Sequence, residues 1–232
     1  MTHLIYDSGW YMPARETHFQ EYFRKSNTTE YQQRQRDNAI VNCRDYRTVV
    51  DVGGNIGTWS RPFADVFHTV IAFEPQPDCR DAFEENLEGY SNVTLYPYAL
   101  GRTEGMVDFY YVEETCGNAG INAQGVVDGP TGSTLQHTDL KKYTVEQRTL
   151  DSFKLYDVDL IKIDVQGAEE QVLMGAYKTI EINQPLLCLE LPTRTRAEQQ
   201  TKQGIKLMLE SWGYQETGAV AKDTLFEYHG HR

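Results

Sequence analysis

The stretch from Val49 to Ser60 constrains this chain more than any other. Val49, Val50, Asp51 and Val52 make a short, mostly β-branched run of the kind that fills a buried parallel strand. Gly53, Gly54, Asn55, Ile56 and Gly57 then form a turn, and Thr58, Trp59 and Ser60 read as the start of a helix. Glycine reaches positive φ freely and lets a ligand lie against the backbone. Strand, tight turn and helix N-terminus in succession make a crevice for a polar ligand, and Asp51 is expected to end the strand facing it. An ordinary strand–loop–helix corner with no ligand is the plain alternative.

From residue 48 onward strands and helices alternate. Strands are expected at 48–52, 70–73, 93–96, 160–163 and 186–189, and helices at 58–67, 77–87, 168–176 and 201–212. Such alternation implies a parallel sheet, and right-handed crossovers restrict it to a doubly wound one. The expected class is α/β. It is a Rossmann-like, mostly parallel seven-stranded sheet with helices on both faces and an antiparallel C-terminal hairpin over 213–220 and 224–229. Residues 45–232 make up this domain. Before it, residues 1–44 hold an aromatic arm (Tyr6, Trp10, Tyr11), a helix bearing Phe19, Tyr22 and Phe23, and a second helix over 29–43 capped by Thr28 or Thr29. The alternation pauses in an insertion at about 105–148, where strands at 106–112 and 143–147 flank a glycine-laden segment that reads as a binding loop.

Composition narrows the partners. With 232 residues, 40% hydrophobic and 24% charged, the chain can bury a sizeable core. A net charge of −12 argues against a general nucleic-acid or anionic-membrane surface binder. No apolar run reaches membrane-spanning length. Cys43, Cys79, Cys116 and Cys188 are dispersed without a CxxC pair, which suits free thiols of a reducing compartment and no metal centre. A signal pattern is absent at residues 1–7, so the expected setting is cytoplasmic and the expected partner a small molecule or glycan.

Four strands end in an acid: Asp51, Glu74, Asp164 and Glu190. Ligands of open α/β sheets bind outside the carboxyl ends of strands, although each acid taken singly suits a helix cap or a surface charge. Glu74 follows Gly53 by 21 positions, near the spacing at which an acid accepts hydrogen bonds from a ribose diol. A dinucleotide fingerprint needs glycine where Asn55 stands, and Asp51 would repel a diphosphate. A cofactor with an ammonium or sulfonium would be attracted. S-adenosyl-L-methionine carries both cations, a ribose diol and a carboxylate suited to the N–H groups of the turn.

These residues resemble the FkbM-type family of class I S-adenosylmethionine-dependent methyltransferases. The matching pieces are Val50 to Gly57, Phe73-Glu74-Pro75, Ala99-Leu100-Gly101, Gly132 to Leu135, Thr149-Leu150-Asp151, Ile161 to Glu169 and Leu189-Glu190, in family order. The resemblance implies that Asp51, Gly53, Asn55 and Gly57 line the methionine end of the cofactor with Gly54 beside them. It implies that Glu74, next to Pro75, holds the ribose, and that the backbone near Tyr98 and Ala99 meets the adenine. One departure matters: Gln166 stands where the family often has glutamate, and an amide hydrogen-bonds but is neither a base nor a strong metal ligand.

Methyl transfer to a hydroxyl is an in-line displacement that also releases a proton, so a nearby base is expected. Asp164 is the first candidate, then Glu169 and Glu190, with His137 an outside choice whose plain reading is a surface residue. His229 and His231 read as an exposed tail. The expected activity is O-methylation of a carbohydrate or other small metabolite, with residues 105–148 and the N-terminal segment shaping or capping the site. Tyr110, Tyr111 and Tyr143 could stack on a sugar ring or simply pack. Two other classes stay open: a Rossmann-type nucleotide-dependent oxidoreductase, and a methyltransferase-like protein that binds without catalysing.

Overall fold

The five apolar runs form the centre of one sheet, and the chain builds it in the following order. A hairpin of β1 (Leu4–Asp7) and β2 (Trp10–Pro13) precedes helices α1 (His18–Ser26) and α2 (Gln33–Asn42). Then come β3 (Thr48–Val52), α3 (Ser60–Ala64), β4 (Thr69–Phe73), α4 (Pro77–Asn86), β5 (Val93–Tyr96) and β6 (Ala99–Leu100). The insertion contributes β7 (Gly105–Val112), β8 (Thr115–Gly120) and β9 (Lys141–Arg148), and a 3-10 turn spans Leu150–Phe153. Finally there are β10 (Val158–Ile163), α5 (Glu169–Gly175), α6 (Tyr177–Asn183), β11 (Leu186–Glu190), α7 (Arg196–Ser211), β12 (Tyr214–Val220) and β13 (Asp223–Tyr228). The computed structural model describes residues 3–112, 115–123, 126 and 140–230.

The main sheet has the order β12-β13-β11-β10-β3-β4-β5. Strands β11, β10, β3, β4 and β5 run parallel and the C-terminal hairpin is antiparallel, as expected for a doubly wound sheet. Alternation along the strands sorts two faces. Val50, Val52, Ile161, Ile163, Leu187 and Leu189 pack against α5, α6 and α7 through Val172, Leu173, Ile180, Ile205 and Leu209. Val49, Val70, Leu160, Leu186 and Cys188 face α2 and α3 through Ala39, Phe63 and Ala64. On that second face Asp51 and Lys162 are cross-strand partners, so a charged pair sits where the pattern otherwise places aliphatic side chains.

Several expected elements differ in extent. The helix expected at 58–67 is reduced to one turn because residues 53–59 are spent in the glycine turn. The helix expected at 168–176 is followed by α6, which the sequence pattern left unassigned. α7 starts at Arg196 because Thr195 and Glu198 form a reciprocal capping box. α2 starts at Gln33 rather than Thr29, after Gln32 at φ +50°, and neither Thr28 nor Thr29 caps it. The glycine-laden segment contains β8, and β6, β9, β7 and β8 form a second sheet. The expectations placed on Gly132–Leu135, His137 and His231 fall outside the described residues. Among the described residues no helix is long and apolar enough to cross a membrane.

The N-terminal segment is packed onto the domain. Trp10 is fully buried, its indole N–H donates to the Thr29 carbonyl at 2.8 Å, and the Arg61 guanidinium lies 3.5 Å from its ring centroid. The Asn86 amide of α4 donates to the carbonyls of Tyr11 and Ile56, both at 2.8 Å, and accepts from the Tyr11 N–H at 2.7 Å. Buried Glu16 accepts from the N–H groups of Phe19 and Cys116, which ties the start of α1 to β8.

Candidate active site at the carboxyl ends of the strands

The glycine turn leaves β3 with Gly53 at φ +85°, Asn55 at φ +50° and Gly57 at φ +89°. A Cβ on Gly53 would lie 2.0 Å from the Asp164 carbonyl oxygen, so only glycine lets the turn approach the end of β10. The N–H groups of Gly53 and Gly54 both donate to the Phe73 carbonyl at 3.0 Å, which anchors the turn to β4. Just beyond β4, Glu74 accepts from the Asn55 N–H at 2.8 Å and from the Gln76 N–H at 2.7 Å. Burial pushes the Glu74 carboxyl up to about 7, against the pull of those two N–H donors.

A cavity of about 270 Å³ opens here, lined on this side by Gly53, Gly54, Asn55, Glu74, Pro75 and Gln76. Phe73, Tyr98, Ala99, Leu100, Phe109, Ala119 and Ile121 give it an apolar end. Asn55 Oδ1 and Gln76 Nε2 are buried without a hydrogen-bond partner, an unusual state for polar atoms and one that a polar ligand in the cavity would relieve.

On the opposite strand ends, charges form a chain. Fully buried Asp51 accepts from the Ser60 hydroxyl at 2.6 Å and lies 3.4 Å from Lys162 Nζ. Lys162 is buried over the Trp59 ring at 5.2 Å and stands 3.8 Å from Asp164. The Gln166 amide donates to Asp164 Oδ1 at 2.8 Å and to Glu190 Oε2 at 3.2 Å, and Lys222 Nζ meets Glu190 Oε1 at 3.0 Å. Burial raises the Asp164 carboxyl, but Lys162 and hydrogen bonds from Glu190 and Gln166 outweigh it and hold the group below its ordinary value. Burial and the neighbouring Asp164 charge push Glu190 well above the usual carboxylate range. The two carboxyls titrate as a pair, with Asp164 held down and Glu190 pushed up.

The third wall comes from outside the sheet. His18, Phe19 and Tyr22 of α1 line the cavity together with Tyr31, Gln32 and Gln35. His18 Nε2 is 3.0 Å from the Tyr31 hydroxyl, and the Trp59 indole N–H donates to Gln32 Oε1 at 2.7 Å. Gly117 of β8 lies against the His18 ring.

Of the residues singled out in the sequence, Gly53, Gly54, Asn55, Glu74, Pro75, Tyr98, Ala99, Asp164 and Glu190 converge on this cavity. Asp51 stands behind its wall, engaged with Ser60 and Lys162, rather than facing the crevice. Gly57 also stands behind it, where a Cβ would lie 2.4 Å from Leu87 Cδ1. Glu169 turns inward at the start of α5 and accepts from the N–H groups of Val165 and Gly167, at 3.3 Å and 3.0 Å; burial raises it to about 7. Tyr110, Tyr111 and Tyr143 are absent from the cavity wall, and Tyr111 packs against Tyr143. Lys162, Lys222, His18 and Tyr31 were missed. A lysine inside a buried apolar strand is itself a signal that an acid stands beside it, whereas nothing near His18 in the sequence marks it. Among the described residues no group of three or more His, Cys, Asp or Glu side chains could hold a metal ion.

Known proteins resemble this chain as follows. Residues 51–216 match the model of the methyltransferase FkbM domain. "Methyltransferase 1" of Beauveria bassiana is 29% identical over 144 residues, covering 55% of this chain and 57% of that protein. "2-O-methyltransferase NoeI" of Sinorhizobium fredii is 26% identical over 141 residues, covering 57% of this chain and 58% of that protein. The chain thus spans less than two thirds of the length of either relative. In fold, the crystal structure of precorrin-6y C5,15-methyltransferase from Geobacter metallireducens superposes with a TM-score of 0.52 at 12% identity, covering 95% of this chain and 92% of that one.

Proposed function

The chain belongs to the methyltransferase FkbM domain family, and on that premise we propose that it transfers a methyl group from S-adenosyl-L-methionine to a hydroxyl of a glycan or other small metabolite. The observation that carries the cofactor is Glu74, fixed by the N–H groups of Asn55 and Gln76 with the unpartnered Asn55 Oδ1 and Gln76 Nε2 beside it. A carboxylate so held takes a ribose diol, the apolar end around Tyr98, Ala99 and Leu100 suits an adenine ring, and the turn at Gly53 and Gly54 suits the methionine end. When bound, this cofactor supplies an electrophilic methyl group.

The chain's own contribution is to hold the acceptor oxygen in line and to manage its proton. Ionised Asp164 accepts a hydrogen bond from the acceptor hydroxyl and fixes its direction, with Glu190 protonated beside it. Glu169 shapes the loop between Asp164 and α5 by binding its backbone. The segment before residue 45 caps the acceptor end through α1 and Tyr31. Support for oxygen as the acceptor comes from the printed name of the 2-O-methyltransferase relative and from the polar lining at Asp164, Gln166, Glu190 and Lys222. No nucleic acid or membrane is part of this reading, and the setting is cytoplasmic. Calorimetric titration with S-adenosylhomocysteine is the test. Saturable binding by the folded protein is expected, and a folded sample that binds none of it removes the proposal.

A further inference from the structure

We propose that His18, held by Tyr31, is the residue that takes the proton of the acceptor hydroxyl, while the Asp164–Glu190 pair orients that hydroxyl. This rests on the methyl-transfer reading above and assigns the base to the N-terminal segment rather than to the strand ends.

Geometry supports the division. All four oxygens of the carboxylate pair already face a partner: Asp164 Oδ1 has Gln166 at 2.8 Å and Oδ2 has Lys162 at 3.8 Å, while Glu190 Oε1 has Lys222 at 3.0 Å and Oε2 has Gln166 at 3.2 Å. Asp164, held below its ordinary value, orients a hydroxyl well and removes its proton poorly, because a base works best when its own affinity for the proton is near the operating pH. His18 borders the same cavity. Its Nε2 is engaged by Tyr31 at 3.0 Å, and Nδ1 has no hydrogen-bond partner among the described residues. With Nε2–H donating to the Tyr31 oxygen, Nδ1 carries a lone pair that can accept a proton.

The groups facing His18 come from each element around it. Burial lowers its proton affinity, Glu16 and Glu21 raise it and Lys222 lowers it, so the ring is neutral at neutral pH. Tyr31 is held protonated by burial and by the negative charge of the Asp164–Glu190 pair, with Tyr22 and Glu16 adding to it, and Phe19 packs against both rings. In the transfer the hydroxyl oxygen bonds to the methyl carbon, the carbon–sulfur bond breaks with its electron pair on sulfur, and the O–H proton goes to the imidazole. The imidazolium then releases that proton to water.

The experiment compares the whole chain with its His18→Gln and Tyr31→Phe variants. It measures S-adenosylhomocysteine binding by calorimetry, methyl transfer to a panel of methyl glycosides from about pH 5.5 to about pH 9, and the His18 ring state by NMR. His18→Gln is expected to lower kcat on the order of 100-fold and to erase the acidic limb of the pH profile, with cofactor-product binding within about 2-fold of the wild type. Tyr31→Phe, which keeps the ring, is expected to move that limb with a smaller loss of rate. A His18→Gln variant that keeps the rate and the limb overturns the proposal. So does a His18 ring found protonated at neutral pH, or a wild-type protein that binds the product yet methylates no hydroxyl of the panel. Failure of the wild type to bind the product is a different result and removes the underlying methyl-transfer reading instead.

Discussion

Two acid sites face each other across one cavity, and they are held in different ways. Glu74 is fixed by backbone: its two oxygens take the N–H groups of Asn55 and Gln76, and the turn that presents Asn55 is anchored on β4. Asp164 and Glu190 are fixed by side chains, those of Gln166, Lys162 and Lys222. Backbone donors keep their position whatever side chain their residue carries, so the first site depends on the path of the chain rather than on which side chains stand at positions 55 and 76. The second depends on a count of charges that any one substitution alters.

The strongest way to break this comparison is to strike where the two sites meet. Gly53→Ala would place a Cβ 2.0 Å from the Asp164 carbonyl oxygen at a φ of +85°, so the turn and the end of β10 must part. A stability loss of about 3 kcal/mol or more is expected in urea unfolding, together with loss of cofactor-product binding. Gly9→Ala is the control. Its φ is +86° but nothing lies within 4 Å, so only the conformational cost of about 1 kcal/mol applies. Equal losses for the two would mean that Gly53 is kept for its φ alone.

Next in size is Glu74→Gln, which leaves a hydrogen-bonding side chain but removes the charge. Binding of S-adenosylhomocysteine is expected to weaken by about 30-fold, the worth of a charge-assisted hydrogen bond. The pH dependence sharpens the test. Because the carboxyl is raised to about 7, wild-type binding should strengthen as pH rises through that value, and the variant should lose this slope. For folding the sign is opposite. A buried acid whose folded value lies above its ordinary value of 4.5 binds more protons folded than unfolded, so it costs stability progressively as pH rises from that value to about 7. Glu169 and Asp223, both raised to about 7, act in the same direction, and thermal midpoints should fall across this window.

The smallest expected effect separates the two supports most cleanly. Gln166→Glu puts a third carboxylate between Asp164 and Glu190, where the amide now donates to both. Folding should weaken by about 1 kcal/mol and the pair's shared proton should be held to higher pH, while binding at Glu74 stays within about 3-fold. A pH profile of turnover unchanged by this substitution would contradict the account of Asp164 and Glu190 as a side-chain-supported pair.

What the sequence made legible follows from where each support resides. β3, β4, β10 and β11 were readable because a strand buried on both faces must be an apolar run, and the acid that ends each run is conspicuous. The backbone-held site was therefore legible nearly whole, from Gly53 to Glu74. The side-chain-held site was half legible: Asp164 and Glu190 stood out, but Lys222 lies in a hairpin turn whose direction no local pattern encodes. Glu169 shares a motif with Asp164, yet its place at the start of a helix turns it toward the N–H groups of Val165 and Gly167. Asp51 is the last residue but one of its strand rather than the last, and the alternation that puts Val50 and Val52 on one face puts Asp51 on the other, beneath α3. His18 and Tyr31 were illegible because only the folding of the N-terminal segment over the strand ends brings them to the cavity, and no local pattern encodes that placement.

The Asn86 side chain has a further consequence. Its three hydrogen bonds clamp the backbone of Tyr11 and that of Ile56, so the N-terminal hairpin and the glycine turn share one fastening. Local opening events follow such fastenings, because groups that share a bond are released together. The amide protons of β2 and of the turn beside Ile56 are therefore expected to exchange with solvent as one cooperative unit, which hydrogen exchange would read directly. The hairpin and the turn would loosen as a single body.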